Sequence, residues 1–205
     1  MVKIYITRHG QNEDNAQGIL NGHRDLPLTV LGEAQARKLA NEIRKVGFVF
    51  DTVYTSPLSR ASRTAEVICE ALDLNRPVVL DSLIERNFGI MTGKRIADIE
   101  KLCAPDIIKT DIITYFLSPE GAETFPDLLK RARRVLRQIQ EQHSSGTILL
   151  STHGDFGKML YAAYYRLHWR EILTKFHFGN CELLLLAEGI SLDASRVVRI
   201  EQHNH

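Results

Sequence analysis

Short apolar segments alternate along this chain with longer segments of helical periodicity, and this alternation restricts the possible folds more than any other feature. Val2, Ile4 and Ile6 fall on one face of a predicted first strand. Thr29 is a typical N-cap for a helix that would end at Gly47. Further strands are predicted at 50–55, 78–80, 147–151, 181–188 and 196–201, and further helices at 57–72, 123–142 and 154–165.

Strands that alternate with helices predict an α/β protein, here a three-layer α/β/α sandwich around a mostly parallel central sheet. The last two predicted strands have a short connection, so we expect them to pair antiparallel at the sheet edge. No repeat or linker divides the sequence, which indicates one domain over residues 1–205, with a lid-like insertion at about 86–122. The pair Ser56-Pro57 predicts a helix start with a serine cap and proline in the first turn.

The composition argues against several classes of function. The 205-residue chain has a formal net charge of +1, so it offers no overall attraction for nucleic acid or an anionic membrane. Its first residues lack the apolar run of a signal peptide, and no apolar run is long enough to span a membrane. Cys69, Cys103 and Cys181 are odd in number and widely spaced, which argues against disulfides and a zinc site. We therefore expect a cytoplasmic protein.

Polar side chains follow four of the predicted strands. In an open α/β sheet, ligands bind outside the carboxyl ends of the strands, so four separate segments can deliver side chains to one place. This convergence carries the functional interpretation more than any single motif does. The side chains are Arg8 and His9 after the first strand, Arg60 after the second, Glu85 after the third, and His153 after the fourth.

These residue types suit phosphoryl transfer. Arg8 and Arg60 can each offer a bidentate fork to a phosphate, and Asn15 can add an amide donor. A neutral imidazole, from either His9 or His153, can attack phosphorus and split hydrolysis into two easier steps. The other imidazole would stabilise the charge of the transferring group.

A carboxylic acid must also protonate the leaving oxygen. Glu85 follows a predicted strand and is the preferred candidate, while Glu13 and Glu123 are alternatives. The basic run at 130–134 is interpreted as the solvent-exposed face of its helix.

Five sequence blocks contain these residues. They read RHGQxxxN at 8–15, GxxDxPLTxxGxxQA at 22–36, SPLSRAxxTA at 56–65, LIERxFG at 83–89, and STHG at 151–154. In this order the blocks resemble the signature of the histidine phosphatase superfamily, which has the phosphoglycerate mutase-like fold. The resemblance extends over nearly the whole chain.

The resemblance implies a role for each matching residue. His9 would accept the phosphate, and Glu85 would donate a proton to the leaving group and then activate water. Arg8, Arg60 and His153 would complete the phosphate pocket, with Asn15 and the backbone amide of Gly154 beside it. Apart from the resemblance, we expect Gly22, His23 and Arg86 to contact the substrate, His23 because its loop should fold over the pocket. The family works without a metal, and we expect no cofactor for this chain.

The same family contains mutases and phosphatases, and the sequence favours a phosphatase that acts on a small phosphate ester. Phe88 stands where mutases typically have tyrosine, and Ile96 where they have lysine. The insertion contains only Arg86 and Arg95, not the paired arginines with which mutases hold a carboxylate. The apolar residues of the insertion predict a substrate with some apolar character.

Other functions remain open at this stage. A cofactor-dependent phosphoglycerate mutase is one alternative, and a non-catalytic phosphate-binding regulatory protein is another. A metal-dependent hydrolase is disfavoured because the histidines lack close ligand spacing such as HxxxH. The final strand could also pair with that of a second copy in a homodimer.

Overall fold

The computed structural model describes residues 2–199 and 201–202. In that part of the chain the elements are, in order, β1 (Val2–Arg8), α1 (Glu13–Gln17), α2 (Val30–Val46), β2 (Thr52–Thr55), α3 (Ser59–Leu72), β3 (Val78–Val79), α4 (Ile99–Cys103), β4 (Ile107–Lys109), β5 (Thr114–Phe116), α5 (Phe125–Gln142), β6 (Gly146–Thr152), α6 (Gly154–Tyr164), α7 (Trp169–Lys175), β7 (Leu183–Leu186), α8 (Leu192–Ser195) and β8 (Arg196–Val198).

The predicted strands and long helices are all present. The short helices α1, α4, α7 and α8 were not predicted, because segments of 4 to 7 residues carry too little periodicity to be recognised. One residue of the predicted strand at 196–201, Ile200, lies outside the described residues.

Six strands form the central sheet in the order β3–β2–β6–β1–β7–β8. Strands β1, β2, β3 and β6 are parallel, whereas β7 runs antiparallel to β1, and β8 runs antiparallel to β7. The mostly parallel sheet with an antiparallel pair at its edge is therefore confirmed.

Helices cover both faces of this sheet. Alternate side chains of β1 point to opposite faces, as they must in an extended strand. Tyr5 packs with Leu39 and Ile43 of α2, while Ile4 and Ile6 pack with residues of α5 and α6 on the other face. These two cores make the three layers of the predicted sandwich.

The strand register brings the expected functional segments to one edge. Arg8 at the end of β1 pairs with Thr152 at the end of β6, and Thr55 at the end of β2 pairs with Ser151. The residues that follow these three strands therefore leave the sheet side by side.

The predicted start of α3 is wrong. The helix begins at Ser59, its N-cap is Leu58, and this cap makes no side-chain hydrogen bond. Ser56 lies before the helix, where its Oγ accepts from the amide of Leu58 at 3.3 Å and lies 2.7 Å from Nε2 of His153. Arg60 is thus the second helical residue, still in the first turn of α3.

Residues 86–122 form several short elements instead of a long helix or strand. They contain α4, two 3-10 turns (Gly89–Met91 and Ile96–Asp98) and the antiparallel hairpin of β4 and β5. Phe88, Ile99 and Phe116 belong to a small separate hydrophobic cluster with Leu20 and Met91. This cluster attaches the segment to the loop that follows β1.

Candidate active site

His9 is buried directly after β1, with its imidazole in a defined tautomer. Nδ1 lies 2.7 Å from the carbonyl oxygen of Gly10, and a carbonyl can only accept, so Nδ1 carries the proton. The other nitrogen, Nε2, accepts a hydrogen bond of 3.2 Å from Nε of Arg60. Nε2 is therefore the ring nitrogen that carries a lone pair, and it lies next to a guanidinium group.

His153 follows β6, and its ring lies against that of His9. The ring centroids are 5.1 Å apart with an interplanar angle of 61°. Ser56 contacts Nε2 of His153, whereas the buried Nδ1 has no hydrogen-bond partner among the described residues. A buried polar atom without a partner is unusual.

The two imidazoles are kept neutral by their surroundings. Burial lowers the pKa of His9 well below its ordinary value, and the positive charges of Arg60 and Arg8 lower it further. Burial likewise lowers the pKa of His153, with Arg60 as the next largest cause. Both rings are thus in the neutral form, with one N–H each, at neutral pH.

Two guanidinium groups flank His9, that of the buried Arg60 and that of the half-buried Arg8. Arg60 donates to the carbonyl oxygens of Arg24 at 2.6 Å and Gly22 at 2.9 Å, and burial lowers its pKa to about 10. Arg8 donates to the carbonyl of Phe178 at 2.9 Å, but its buried Nε has no partner in the described part of the chain. Neither guanidinium is neutralised by a direct carboxylate contact among the described residues, so both can bind an anion.

Glu85 is held against the N-terminus of α6. Its Oε1 accepts from the backbone amides of Arg86 at 2.8 Å and Phe156 at 3.1 Å, and Oε2 accepts from the amide of Asp155 at 3.2 Å. Burial raises the pKa of this carboxyl group, and the negative charge of Asp155 raises it further. A raised pKa suits a group that must donate a proton.

Arg86 lies in the core beside Glu85 and is neutralised. Its Nε forms an ion pair of 2.9 Å with Asp155, and its guanidinium carbon lies 4.3 Å from the ring centroid of Phe116 and 4.2 Å from that of Phe125. It also donates to the carbonyl oxygen of Phe116. These contacts fix Arg86 and leave it little freedom to follow a substrate.

Two further predicted residues are brought to the same place. Asn15 accepts from the Asn12 amide and from Nδ2 of Asn180, each at 3.5 Å, so its oxygen is engaged and its own amide group is the part available to a ligand. Gly154 is the first residue of α6, and a Cβ there would lie 3.7 Å from Nε of Arg8 and 3.9 Å from Oε2 of Glu85. A phosphate placed between these groups would meet the backbone amide of Gly154 at the N-terminus of α6.

A cavity of about 180 Å³ joins these groups. Its wall contains the predicted residues Arg8, His9, Asn15, Arg60, Glu85, Arg86 and Gly154. Apolar side chains from the 86–122 segment form much of the remainder, among them Phe88, Ile96, Ile99, Ile112 and Phe116. His153 is not part of the wall but supports His9 from behind.

The structure does not bring Gly22 or His23 to the cavity wall. Gly22 instead offers its carbonyl oxygen to Arg60, and its backbone has φ of +52°, a conformation that favours glycine. His23 is exposed, and its Nε2 lies 2.8 Å from the carbonyl oxygen of Glu85. Both residues therefore position site residues without facing the cavity.

The interpretation of residues 130–134 as a wholly exposed face is wrong for Arg131. This side chain donates to the carbonyl oxygens of Ser82, Ile84 and Glu85 and pairs with Glu123 at 2.7 Å. Arg131 thus fixes the segment that carries Glu85. Helical periodicity did not reveal it, because a long arginine side chain can reach back to the protein from the border of a helix face.

The alternative acids do not reach the cavity. Glu13 is exposed on α1, and Glu123 is engaged with Arg131. Glu85 is accordingly the carboxyl group of the three that lines the cavity.

Sequence reasoning missed Lys158, a buried ammonium group in the cavity wall. Lys158 donates from Nζ to the hydroxyl oxygen of Tyr115 at 2.6 Å and to the carbonyl of Leu173 at 3.3 Å. A usable signal existed, because Lys158 is one helical turn after Gly154 among the buried residues of α6. Asn180 was also missed; its Nδ2 donates to the carbonyl of His9 at 2.8 Å.

Two further properties of the described residues bear on function. In that part of the chain, no group of three or more His, Cys, Asp or Glu side chains is arranged to hold a metal ion. None of the helices there combines the length and the apolar character needed to cross a membrane.

A family model of the histidine phosphatase superfamily (branch 1) matches residues 4–194. This chain belongs to the histidine phosphatase superfamily. The match extends from β1 into α8, so it includes every element that contributes to the site. The family resemblance expected from the five sequence blocks is confirmed.

Relatives in this superfamily include both mutases and phosphatases. The 2,3-bisphosphoglycerate-dependent phosphoglycerate mutase of Mesorhizobium japonicum is 30% identical over 156 residues, covering 74% of this chain and 76% of the relative. The "Uncharacterized phosphatase PhoE" of Bacillus subtilis is 32% identical over 155 residues, covering 75% of this chain and 72% of the relative. A mycobacterial glucosyl-3-phosphoglycerate phosphatase, solved with VO3, superposes with a TM-score of 0.77 at 24% identity, covering 90% of this chain and 92% of the other, and it shows the shared fold.

Proposed function

We propose that this protein is a metal-independent phosphomonoester hydrolase that acts on a small phosphorylated metabolite through a phosphohistidine on His9. The single observation that carries the proposal is the state of the His9 ring. Its Nε2 carries no proton, and His9 lines a cavity together with Arg8 and Arg60. That arrangement binds a phosphate and presents a nucleophile to it at once.

In the first step, Nε2 of His9 attacks phosphorus and the bond from phosphorus to the ester oxygen breaks. Arg8, Arg60 and the Gly154 amide stabilise the charge that spreads over the phosphoryl oxygens. The leaving oxygen takes its proton from the carboxyl group of Glu85, so an alcohol departs and Glu85 becomes a carboxylate.

In the second step, water replaces the alcohol. The Glu85 carboxylate takes a proton from the water while the water oxygen attacks phosphorus. The phosphorus–nitrogen bond breaks, which releases inorganic phosphate, regenerates neutral His9 and leaves Glu85 protonated for the next cycle.

Two features of the cavity support hydrolysis over the mutase reaction. Arg86 is already paired with Asp155, and Arg95 is exposed and outside the cavity wall, so neither guanidinium is free to hold a substrate carboxylate. Phe88 and Ile96 make the wall apolar where a mutase would need polar groups to keep and reorient its intermediate. The relatives named as phosphatases are in keeping with this choice.

Hydrolysis of 4-nitrophenyl phosphate tests the proposal. We expect turnover that persists with a chelator and is blocked by vanadate, and we expect His9→Asn to abolish it. His168→Asn is the matched control, because His168 is an exposed N-cap of α7 and asparagine can also cap a helix. Activity that survives in His9→Asn would overturn the mechanism.

Rapid quenching with a labelled substrate tests the intermediate. We expect a covalent phosphoryl group that is labile in acid and stable in base. The His9→Asn protein, in which Glu85 is unchanged, should not carry this group. Efficient interconversion of phosphoglycerates after priming with the bisphosphate, with little release of phosphate, would favour the mutase instead. An ordered site that binds phosphate without any turnover would favour a regulatory role.

The proposal also includes the cellular compartment and the binding partner of the protein. Cys69, Cys103 and Cys181 are free thiols, as is typical of a reducing compartment such as the cytoplasm. The partner we infer is the small phosphate ester itself, with no nucleic acid, membrane or resident cofactor.

A further inference from the structure

Lys158 is a buried cation to which the catalytic scheme assigns no role. It lies one turn into α6, is 2% exposed and forms part of the cavity wall. An ammonium group has three N–H donors, and two are used by Tyr115 and Leu173. One donor is therefore available in the cavity.

The charge of Lys158 is not neutralised within the described part of the chain. No carboxylate there lies within 4.0 Å of Nζ, because the nearby Asp155 pairs with Arg86 and Glu182 pairs with Arg196. The charged groups that act on it are these two acids and the cations Arg8 and Arg196. Burial lowers the pKa of Lys158 to about 8, so it still carries its charge at neutral pH. Such a buried cation is costly unless it meets an anion.

Tyr115 adds a second donor at the same point. Its hydroxyl oxygen accepts a hydrogen bond from Nζ of Lys158, so its own O–H must point elsewhere. No acceptor for that O–H is found in the part of the chain that the structure describes, and Tyr115 is a residue of the cavity wall. Burial raises the pKa of the phenol, which keeps it protonated as a donor.

Apolar side chains form much of the wall around this donor pair, and Asp155 and Arg8 line the same cavity. Ile112, Ile113 and Phe178 line the same cavity, and the ring centroid of Phe176 lies 5.2 Å from Nζ. The phosphate pocket, in contrast, has two guanidinium groups and helix amides. One ammonium and one phenol match a singly charged group, and a low-polarity environment strengthens their hydrogen bonds to it.

We propose that Lys158 and Tyr115 form a second anion subsite, which binds a carboxylate on the organic part of the substrate while His9 and the arginines hold the phosphate. The inference rests on the proposed function. The substrate class is then a phosphomonoester with a largely apolar organic part that bears one carboxylate. This refines the sequence-based expectation of a partly apolar ester.

A pair of matched substrates tests the subsite. The first pair is 4-carboxyphenyl phosphate and 4-carbamoylphenyl phosphate, and the second is the corresponding 3-substituted pair. Within each pair, the second compound has a neutral amide of the same shape in place of the carboxylate. We expect the wild-type kcat/KM to be about 10-fold to 100-fold higher for the carboxylate member of at least one pair, as charge-assisted hydrogen bonds would give.

Three variants assign the preference to its residues. Lys158→Met should reduce the ratio of the two kcat/KM values to about one, and Tyr115→Phe should reduce it in part. Lys130→Met, a change at an exposed lysine of α5, should keep the wild-type ratio. The ratio is taken within each variant, so a variant with lower overall activity still gives an answer.

The pH dependence of the wild-type ratio provides a test without any substitution. Lys158 loses its proton as the pH rises above about 8, so the preference for the carboxylate should decline there while the neutral amide is unaffected by that titration. A ratio near one in both wild-type pairs, or a preference that Lys158→Met leaves intact, would overturn the subsite. If neither substrate nor 4-nitrophenyl phosphate is hydrolysed, the proposed function fails instead.

Discussion

The backbone amide of Asp155 donates to Oε2 of Glu85 at 3.2 Å, while the side chain of Asp155 forms an ion pair with Arg86. One residue thus fixes the carboxyl group of Glu85 and places a negative charge near it. Burial raises the pKa of Glu85, and this neighbouring charge raises it further. The proton needed by the leaving group is therefore retained to a higher pH than in an exposed glutamate.

Asp155→Asn should lower the pKa of Glu85, because it removes the negative charge and leaves the cation of Arg86 unpaired. Activity requires protonated Glu85 in the first step, so the limb of kcat/KM that falls with rising pH should move down by about one pH unit. The measurement is a pH profile with an alkyl phosphate. Asp193→Asn, a change at an exposed residue of α8, should leave the high-pH limb of kcat/KM in place. If Asp155→Asn also leaves that limb in place, the charge of Asp155 does not set the pKa that the limb reports.

Glu85→Gln should affect poor leaving groups far more than good ones. An alkoxide needs a proton to depart, so kcat/KM for an alkyl phosphate, which reports the first step, should fall by about 10²-fold to 10⁴-fold. 4-Nitrophenolate leaves without a proton, so the first step with that ester should be much less impaired. Glu13→Gln is the matched control at an exposed acid. Equal losses for both esters would argue against Glu85 as the proton donor.

Arg131→Met should lower kcat by about 10-fold with a smaller change in KM. Arg131 touches neither His9 nor the cavity, but its three backbone contacts hold the segment that ends in Glu85. The variant also leaves Glu123 without its cation, so the free energy of unfolding should fall by about 3 kcal/mol.

Arg133→Met provides the comparison, because Arg133 is exposed on the same helix. Urea melts and steady-state kinetics of both variants separate a positioning role from a purely structural one. A destabilised Arg131→Met enzyme with unchanged kcat would leave only the structural role.

The buried histidines should make the fold sensitive to acid. The pKa values of His9 and His153 lie well below about 6.5 in the folded state, so below pH 6.5 the unfolded chain binds more protons. The stability they contribute is complete above pH 6.5 and is lost as the pH falls. Each ring should contribute a slope of at most about 1.4 kcal/mol per pH unit.

His153→Asn isolates this contribution from that of Glu85, whose raised pKa acts in the opposite direction. We expect urea melts at pH 7.5 and 5.5 to differ less in His153→Asn than in the wild type. His168→Asn should retain the wild-type difference. If His153→Asn does so as well, the ring is not held neutral in the folded protein.

Much of the fold and of the site could be predicted because both depend on local patterns. Alternation of apolar residues gave the strands, and helical periodicity with Thr29 and Gly47 gave the bounds of α2. Once the sheet is parallel, its geometry alone sends the segments after β1, β2 and β6 to one edge. That is why Arg8, His9 and His153 could be grouped before their distances were known.

Other features depend on which side chains meet in space. Ser56 matches the local sequence pattern of a helix cap. In the structure its hydroxyl contacts the imidazole of His153, and the helix begins three residues later. Local sequence does not distinguish Arg131 and Lys158 from ordinary exposed cations on a helix. In the structure, Arg131 donates to the segment that carries Glu85, and Lys158 donates to residues of β5 and α7.

The sequence by itself determined the layers, the order of the functional segments and the residue types at the phosphate pocket. Only the tertiary structure decided the tautomer of His9, the neutralisation of Arg86 and the exposure of Lys158 to the cavity. The physical reason is the distance in sequence over which each feature is determined. Strands and helices follow from local periodicities of two and 3.6 residues. Burial, hydrogen-bond partners and pKa depend on atoms that the folded chain brings together from distant positions.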